Sequence, residues 1–145
     1  MNDRGAAILD SVVAIALFAV LFTGFFALMQ VGIKTVTEHK ARAGALAIAR
    51  SHIEYIHSLD YSAVGIQGGN PSGNIISNTT DSLNNISYTI VTNITWHDDD
   101  GDGLSGSDSN PHDYKDVRVL VEWPEHAGEI GSIVLSTIVA DFEAE

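Results

Sequence analysis

Acidic side chains hold most of the chemistry this sequence offers, and they matter in two places. The first is HDDDGDGLSGSDSNPHDY, residues 97–114, which holds Asp98, Asp99, Asp100, Asp102, Asp108 and Asp113. Asp98, Asp100, Asp102 and Gly103 fit D-x-D-x-D-G, the opening of a calcium loop. In such a loop oxygens at alternate positions converge on a hard cation, and glycine permits the sharp turn. The twelfth position is Ser109 rather than Glu, and the flanks read as strands, so the segment is not an EF-hand. Asp108 or Asp113 could close the site, with calcium favoured over magnesium because magnesium dehydrates reluctantly. A solvated acidic loop that needs no ligand is the alternative. The second place is Asp10, alone inside the apolar run RGAAILDSVVAIALFAV, residues 4–20. An ionised carboxylate in a membrane core costs on the order of 2.5–3.5 kcal/mol on insertion scales, unless it is paired or lies near the surface. Asp10 therefore calls for a partner.

Other reactive residue types are scattered. Six histidines, His39, His52, His57, His97, His112 and His126, lack metal-ligand spacing. His52 and His57 lie five apart, off the four-residue step that aligns two ligands on a helix face, so solvated surface histidines are expected. His97 beside Asp98 is the one suggestive pair. Asn78, Asn85 and Asn93 each begin N-x-S/T, a motif that arises often by chance and matters only where a glycosylation machinery exists. Trp96 and Trp123 are expected to pack a sheet. No nucleophile elbow and no glycine-rich phosphate cradle appears, so no constellation supports an enzyme.

Charge is unevenly spread over the 145 residues. Residues 1–59 hold four acids and five bases, whereas residues 60–145 hold fifteen acids against two bases, a net charge of −13. Nucleic acid is not an expected partner, because phosphate binding needs clustered Lys and Arg. The chain has no cysteine, which excludes disulfides, thiolate chemistry and cysteine-bound zinc.

The elements that must carry these residues follow from periodicity. Val12 to Met29 reads VVAIALFAVLFTGFFALM, interrupted only by Thr23 and Gly24, and with its apolar flanks reaches the twenty or so residues that cross a bilayer as helix. A cleaved secretory signal peptide is the poorer reading, since a single Arg4 is the basic region and no A-x-A site follows. A buried helix of a soluble protein is poorer still, because the segment is apolar on every face. Beyond Gly32, Ala43, Leu46, Ala49 or Arg50, Ile53 and Ile56 recur every three or four residues as an apolar stripe. Ala6 to about Leu59 is thus expected to be one helix of roughly 80 Å at 1.5 Å per residue. Gly24, Gly32 and Gly44 are its weak points, with a kink or local melting expected at Gly24 or Gly32.

Gly65, Gly68, Gly69, Pro71 and Gly73 mark a loop, and a polar stretch, NIISNTTDSLNN, follows it. Residues 86–96, 117–123 and 130–142 are rich in β-branched and aromatic types. Val117, Val119, Val121 and Trp123 alternate with polar or outward residues, the mark of a strand with one buried face. PEHAGEIG reads as a hairpin loop between the last two strands. The expected fold class is α+β: a long N-terminal helix, half membrane-spanning and half amphipathic, packed on a small antiparallel sheet of at least three strands. The expected divisions are residues 6–33 for the membrane helix and 34–145 for a globular head. Within the head, residues 34–60 are an amphipathic helix and 86–142 the sheet, with the acidic loop at 97–113.

With this order of elements, RGAAILDSVVAIALFAV resembles the start of type IV pilins and type II secretion pseudopilins. A short leader ends in Gly5, four small or apolar residues follow, the fifth is an acid, and the apolar span comes next. The resemblance implies a pilin-like fold and cleavage by a prepilin peptidase after Gly5, leaving residues 1–5 as a leader. It further implies a mature chain beginning, and methylated, at Ala6. Asp10 would then pair with the N-terminal amine of a neighbouring subunit during assembly. The family usually has Glu at that position and often Phe after the cut, and many members close a C-terminal disulfide loop that this chain lacks. ARSHIEYIHSLDYSAVG and NPHDYKDVRVLVEW resemble the helix end and a strand of prepilin-like proteins, with less specificity.

The implied function is structural: a minor pilin or pseudopilin of a type IV pilus or type II secretion pseudopilus. Its partners would be other pilin subunits through the N-terminal helix, the peptidase and the cytoplasmic membrane, with the head outside. Lys34, Lys40 and Arg42 after the span outnumber Arg4 before it, which by charge alone favours the opposite orientation. The motif is the more specific of the two signals. The alternative function is a membrane-anchored calcium-binding or sensory domain that never polymerises.

Overall fold

A single helix, α1, occupies Asp3–His57. The structure is a computed structural model, and it describes residues 3–98, 114–125 and 128–141, with side chains from Leu9 onward. Helix-forming Ala, Leu and Met dominate α1, and no proline falls within it. Its threonines are accommodated by back-bonding. The hydroxyls of Thr23, Thr35 and Thr37 donate to the carbonyls of Ala19, Val31 and Ile33, four residues earlier, at 2.8, 3.0 and 2.9 Å. Helical structure runs unbroken through Gly24 and Gly32, where local melting was one expectation. Each of those glycines has open space around its α-carbon.

The chain divides into two compact units, Met1–His39 and Lys40–Glu145. In the first, every described side chain from Leu9 to Thr37 is exposed. In the second, the remainder of α1 packs on a sheet of four antiparallel strands in the order β1-β2-β3-β4, a meander. The strands are β1 (Asn78–Leu83), β2 (Ile86–His97), β3 (Tyr114–Pro124) and β4 (Ile130–Ala140). Register is fixed by pairs such as Asn78 with Val91, Val119 with Thr92, and Val121 with Ile133. The architecture is therefore α+β, a long N-terminal helix on an antiparallel sheet.

Three strands coincide with the segments expected from composition. β1 falls instead in the stretch read as merely polar, because NTTDSL is an edge strand with all but Thr79 exposed, leaving no apolar alternation to betray it. β1 and β2 are joined by Asn84 and Asn85, both at positive φ (53° and 66°), as a two-residue hairpin turn of the primed type requires.

The core joins Ala41, Ala45, Ile48, Ala49 and Ile56 of α1 to Tyr88, Ile90 and Ile94 of β2 and to Val117, Val119, Val121 and Trp123 of β3. β3 alternates as its sequence predicts, with Val117, Val119, Val121 and Trp123 buried. The helix stripe is rotated from expectation. Ala43 is exposed and Gly44 is buried, because the ring of Tyr88 lies directly over Gly44. The Tyr88 hydroxyl donates to the Ala41 carbonyl at 3.1 Å. Small residues thus line the side where helix and sheet approach most closely.

Between helix and sheet the glycine-rich loop folds back on itself. The amides of Ile66 and Asn74 donate to the carbonyls of Pro71 and Ala63, both at 2.9 Å. A β-carbon on Gly65 would meet the Ser72 backbone, so the two loop limbs touch only through glycine. Val64 and Ile75, at its two ends, are buried in the core.

Candidate functional site

The residues expected to be cut and to pair, Gly5, Ala6 and Asp10, all lie in the first turns of α1. A helix repeats every 3.6 residues, so Ala6 and Asp10, four apart in sequence, are separated by about one turn of backbone. Asp10 is exposed. The residues that follow are large, apolar and uncovered: Ile15, Leu21 and Leu28 are 69, 71 and 73% exposed. An 18-residue stretch within Leu9–His57 has a mean hydropathy of 2.7 and none of it is buried. Helix α1 is therefore long and apolar enough to span a membrane. At about 25 cal/mol per Å² of apolar area, so many uncovered side chains strongly favour lipid or other helices over water. Lys34 and Glu38 form an i,i+4 ion pair at 3.6 Å just after the apolar run, both side chains well exposed, where such a pair contributes little.

The acidic segment lies between β2 and β3. Asp98, half-buried, directly follows β2. Asp99, Asp100, Asp102, Asp108 and Asp113 lie outside the described residues. Among the described residues, no three His, Asp or Glu side chains are grouped so as to hold a metal ion.

One histidine, His52, departs from the solvated surface state expected, while His57 is exposed. His52 Nε2 lies 2.9 Å from Thr92 Oγ1, a hydroxyl 3% exposed on the inner face of β2. Burial pushes the His52 imidazole below its ordinary value, because charging the ring there forfeits hydration. His57 Nε2 similarly meets Thr137 Oγ1 at 2.9 Å, at the helix end and in the open. Both histidines tie the helix to the sheet. His97 and His39 are exposed, His97 stacked on Tyr114 at 4.5 Å, while His112 and His126 lie outside the described residues.

Lys115 forms a polar site not recognised from the sequence. It is 3% exposed on the inner face of β3, and its Nζ donates to the Tyr61 carbonyl at 2.6 Å. The ammonium sits 4.0 Å from the Tyr61 ring centre and 5.0 Å from that of Trp96, so two aromatic faces and a carbonyl replace its water. Desolvation lowers its pKa, partly opposed by the charge of Asp141. The alternation of KDVRVLVEW carries the signal that could have found it, since Lys115 stands two residues before Val117, in phase with the buried face. Trp96 is held by its indole N–H, which donates to Asn70 Oδ1 at 3.1 Å. Trp123 packs the sheet as expected, over Gly131 of β4, where any side chain would meet the indole ring.

No protein-family model, curated protein or solved structure matches the chain.

Proposed function

We propose that the chain is a structural subunit, a minor pilin or pseudopilin, of a type IV pilus or type II secretion pseudopilus. The observation that carries this reading is RGAAILDSVVAIALFAV at the head of a helix whose described side chains from Leu9 to Thr37 are all exposed. Hydrolysis of the Gly5–Ala6 bond by a prepilin peptidase frees a new amine at Ala6, the atom that methylation then caps. The head stays outside the cytoplasmic membrane, held by α1 until the subunit is drawn into a filament.

In the filament core the apolar side chains from Val12 to Met29 exchange lipid for neighbouring helices. Packing of that kind is non-directional along the axis, so a polar contact is needed to fix register. Asp10 supplies it by meeting the Ala6 amine of a neighbour. In low dielectric a well-placed pair is strongly attractive, and a carboxylate that misses its partner is heavily penalised, which disfavours wrong registers. The aspartate is one methylene shorter than the usual glutamate, so the two helices must approach correspondingly closer. The acidic segment between β2 and β3 is assigned a calcium ion, displayed on the exported head.

Assembly tests the Asp10 role. An Asp10→Ala subunit should be processed normally yet be absent from sheared filaments, while Asp10→Glu should be retained. Incorporation of Asp10→Ala at the wild-type level would show that Asp10 does not set register. A membrane-anchored domain that never polymerises would appear in no filament fraction with either residue.

A further inference from the structure

Two strands of the sheet carry asparagines that the fold does not need. Asn is depleted in strands because its side chain competes for backbone hydrogen bonds, yet Asn78 opens β1 and Asn93 sits well inside the central strand β2. Asn85 has a local reason, since the hairpin turn requires positive φ and asparagine tolerates it. At i+2 from each asparagine stands a hydroxyl, that of Thr80, Ser87 or Thr95, the threonines being themselves at home in strands. No side-chain amide of the three asparagines is engaged by a hydrogen bond among the described residues.

The fold gives the two strand triplets, those of Asn78 and Asn93, a common geometry. Because side chains alternate along a strand, residues i and i+2 share a face while i+1 points the other way. All six end residues, Asn78, Thr80, Asn85, Ser87, Asn93 and Thr95, are exposed. The middle residues Thr79 and Ile86 are half-buried and Ile94 is buried. The pairing of Asn78 with Val91 sets Asn93 diagonally across from Asn78 on the sheet face turned away from the core, about 7–8 Å apart by ordinary sheet geometry. Asn85 is at the tip of the same hairpin. A substituent on any of the three meets solvent rather than protein.

We propose that this β1–β2 hairpin is an N-glycosylation site, accepting an oligosaccharide from a lipid-phosphate-linked donor through a membrane oligosaccharyltransferase. The inference rests on the export of the head proposed above, since it places the acceptors outside the cytoplasmic membrane. In the transfer, the asparagine amide nitrogen bonds to the anomeric carbon of the first sugar as that carbon's bond to the donor phosphate oxygen breaks. The amide proton passes to a base on the transferase, and the lipid phosphate leaves with the bonding pair. No oxidation or reduction is involved. Asn85, in the turn, is open to transfer on the folded head, whereas Asn93, in a central strand, is open only before the sheet closes. A glycan at Asn78 also blunts the edge strand β1 against pairing with other chains.

The test uses the full chain recovered from membranes of the organism that makes it, mapped by peptide mass before and after an amidase that converts glycosylasparagine to aspartate. Export is read separately, by loss of the head when protease is added outside the cytoplasmic membrane. The expected result is hexose-type mass increments on the Asn85 peptide and on at least one of the Asn78 and Asn93 peptides, removed by the amidase. Ser87→Ala should abolish the addition at Asn85 with the asparagine intact, and Ser87→Thr should keep it. Bare asparagines on a protease-sensitive head would overturn the glycosylation alone. Bare asparagines on a protected head would overturn export and glycosylation together.

Discussion

Gly44 shows how one missing side chain can fix the distance between a helix and a sheet. A β-carbon there would collide with the Tyr88 hydroxyl, and Tyr88 is fully buried with that hydroxyl donated to the Ala41 carbonyl. Gly44→Ala gains about 1 kcal/mol of helix propensity. The overpacking it causes costs about 1–3 kcal/mol, so a net loss is expected. Urea unfolding of the head should show a lower midpoint for Gly44→Ala and recovery when Tyr88→Phe removes the clashing oxygen. Failure of the double variant to recover would mean that the close approach is not set by that hydroxyl. His52 makes a second residue-scale prediction. Its folded pKa is lowered, so below about 6.5 the unfolded chain binds a proton that the folded head resists. The stability it contributes is complete above that pH and is lost as pH falls through the lowered folded value. His52→Leu should flatten the pH dependence of the unfolding midpoint below about 6.5. A slope identical to wild type would remove His52 from that role.

At the scale of elements, what the sequence discloses depends on whether burial leaves a pattern. β3 is legible because Val117, Val119, Val121 and Trp123 alternate without exception. β1 is not, because an edge strand exposed almost throughout has no apolar face to announce itself. The helix stripe is misphased for a related reason. Apolar side chains mark it in sequence, but at closest approach the packing residues are Ala41, Gly44 and Ala45, whose smallness matters more than their hydrophobicity. Lys115 is hidden by the opposite effect, a charged residue in a core-facing position made tolerable by aromatic rings and a carbonyl contributed from distant parts of the chain. The connection between β2 and β3 carries its own prediction. Millimolar calcium should raise the melting temperature of residues 35–145, and Asp100→Asn with Asp102→Asn should remove the rise. An unchanged melting temperature would count against the ion, and the segment would then be a solvated acidic loop.

At the scale of the whole molecule, the two units meet different demands from one continuous helix. Lys40–Glu145 has a core of its own, built where α1 lays small residues against β2 and β3. Among the described residues Met1–His39 contributes no core residue, and its exposed apolar side chains favour lipid or other apolar surface over water. That division suits the proposed subunit, first anchored and then polymerised, with Asp10 as its proposed register contact. The N-terminal motif is the most legible basis of the proposed function, because a glycine, a span and one acid stand at fixed spacing in the sequence. The proposed function turns on cleavage after Gly5. Intact-mass measurement of the chain produced with a prepilin peptidase tests this most directly. Loss of Met1–Gly5 and a new N-terminus at Ala6 are expected, both abolished by Gly5→Leu. A chain that keeps Met1 in the presence of active peptidase would contradict it.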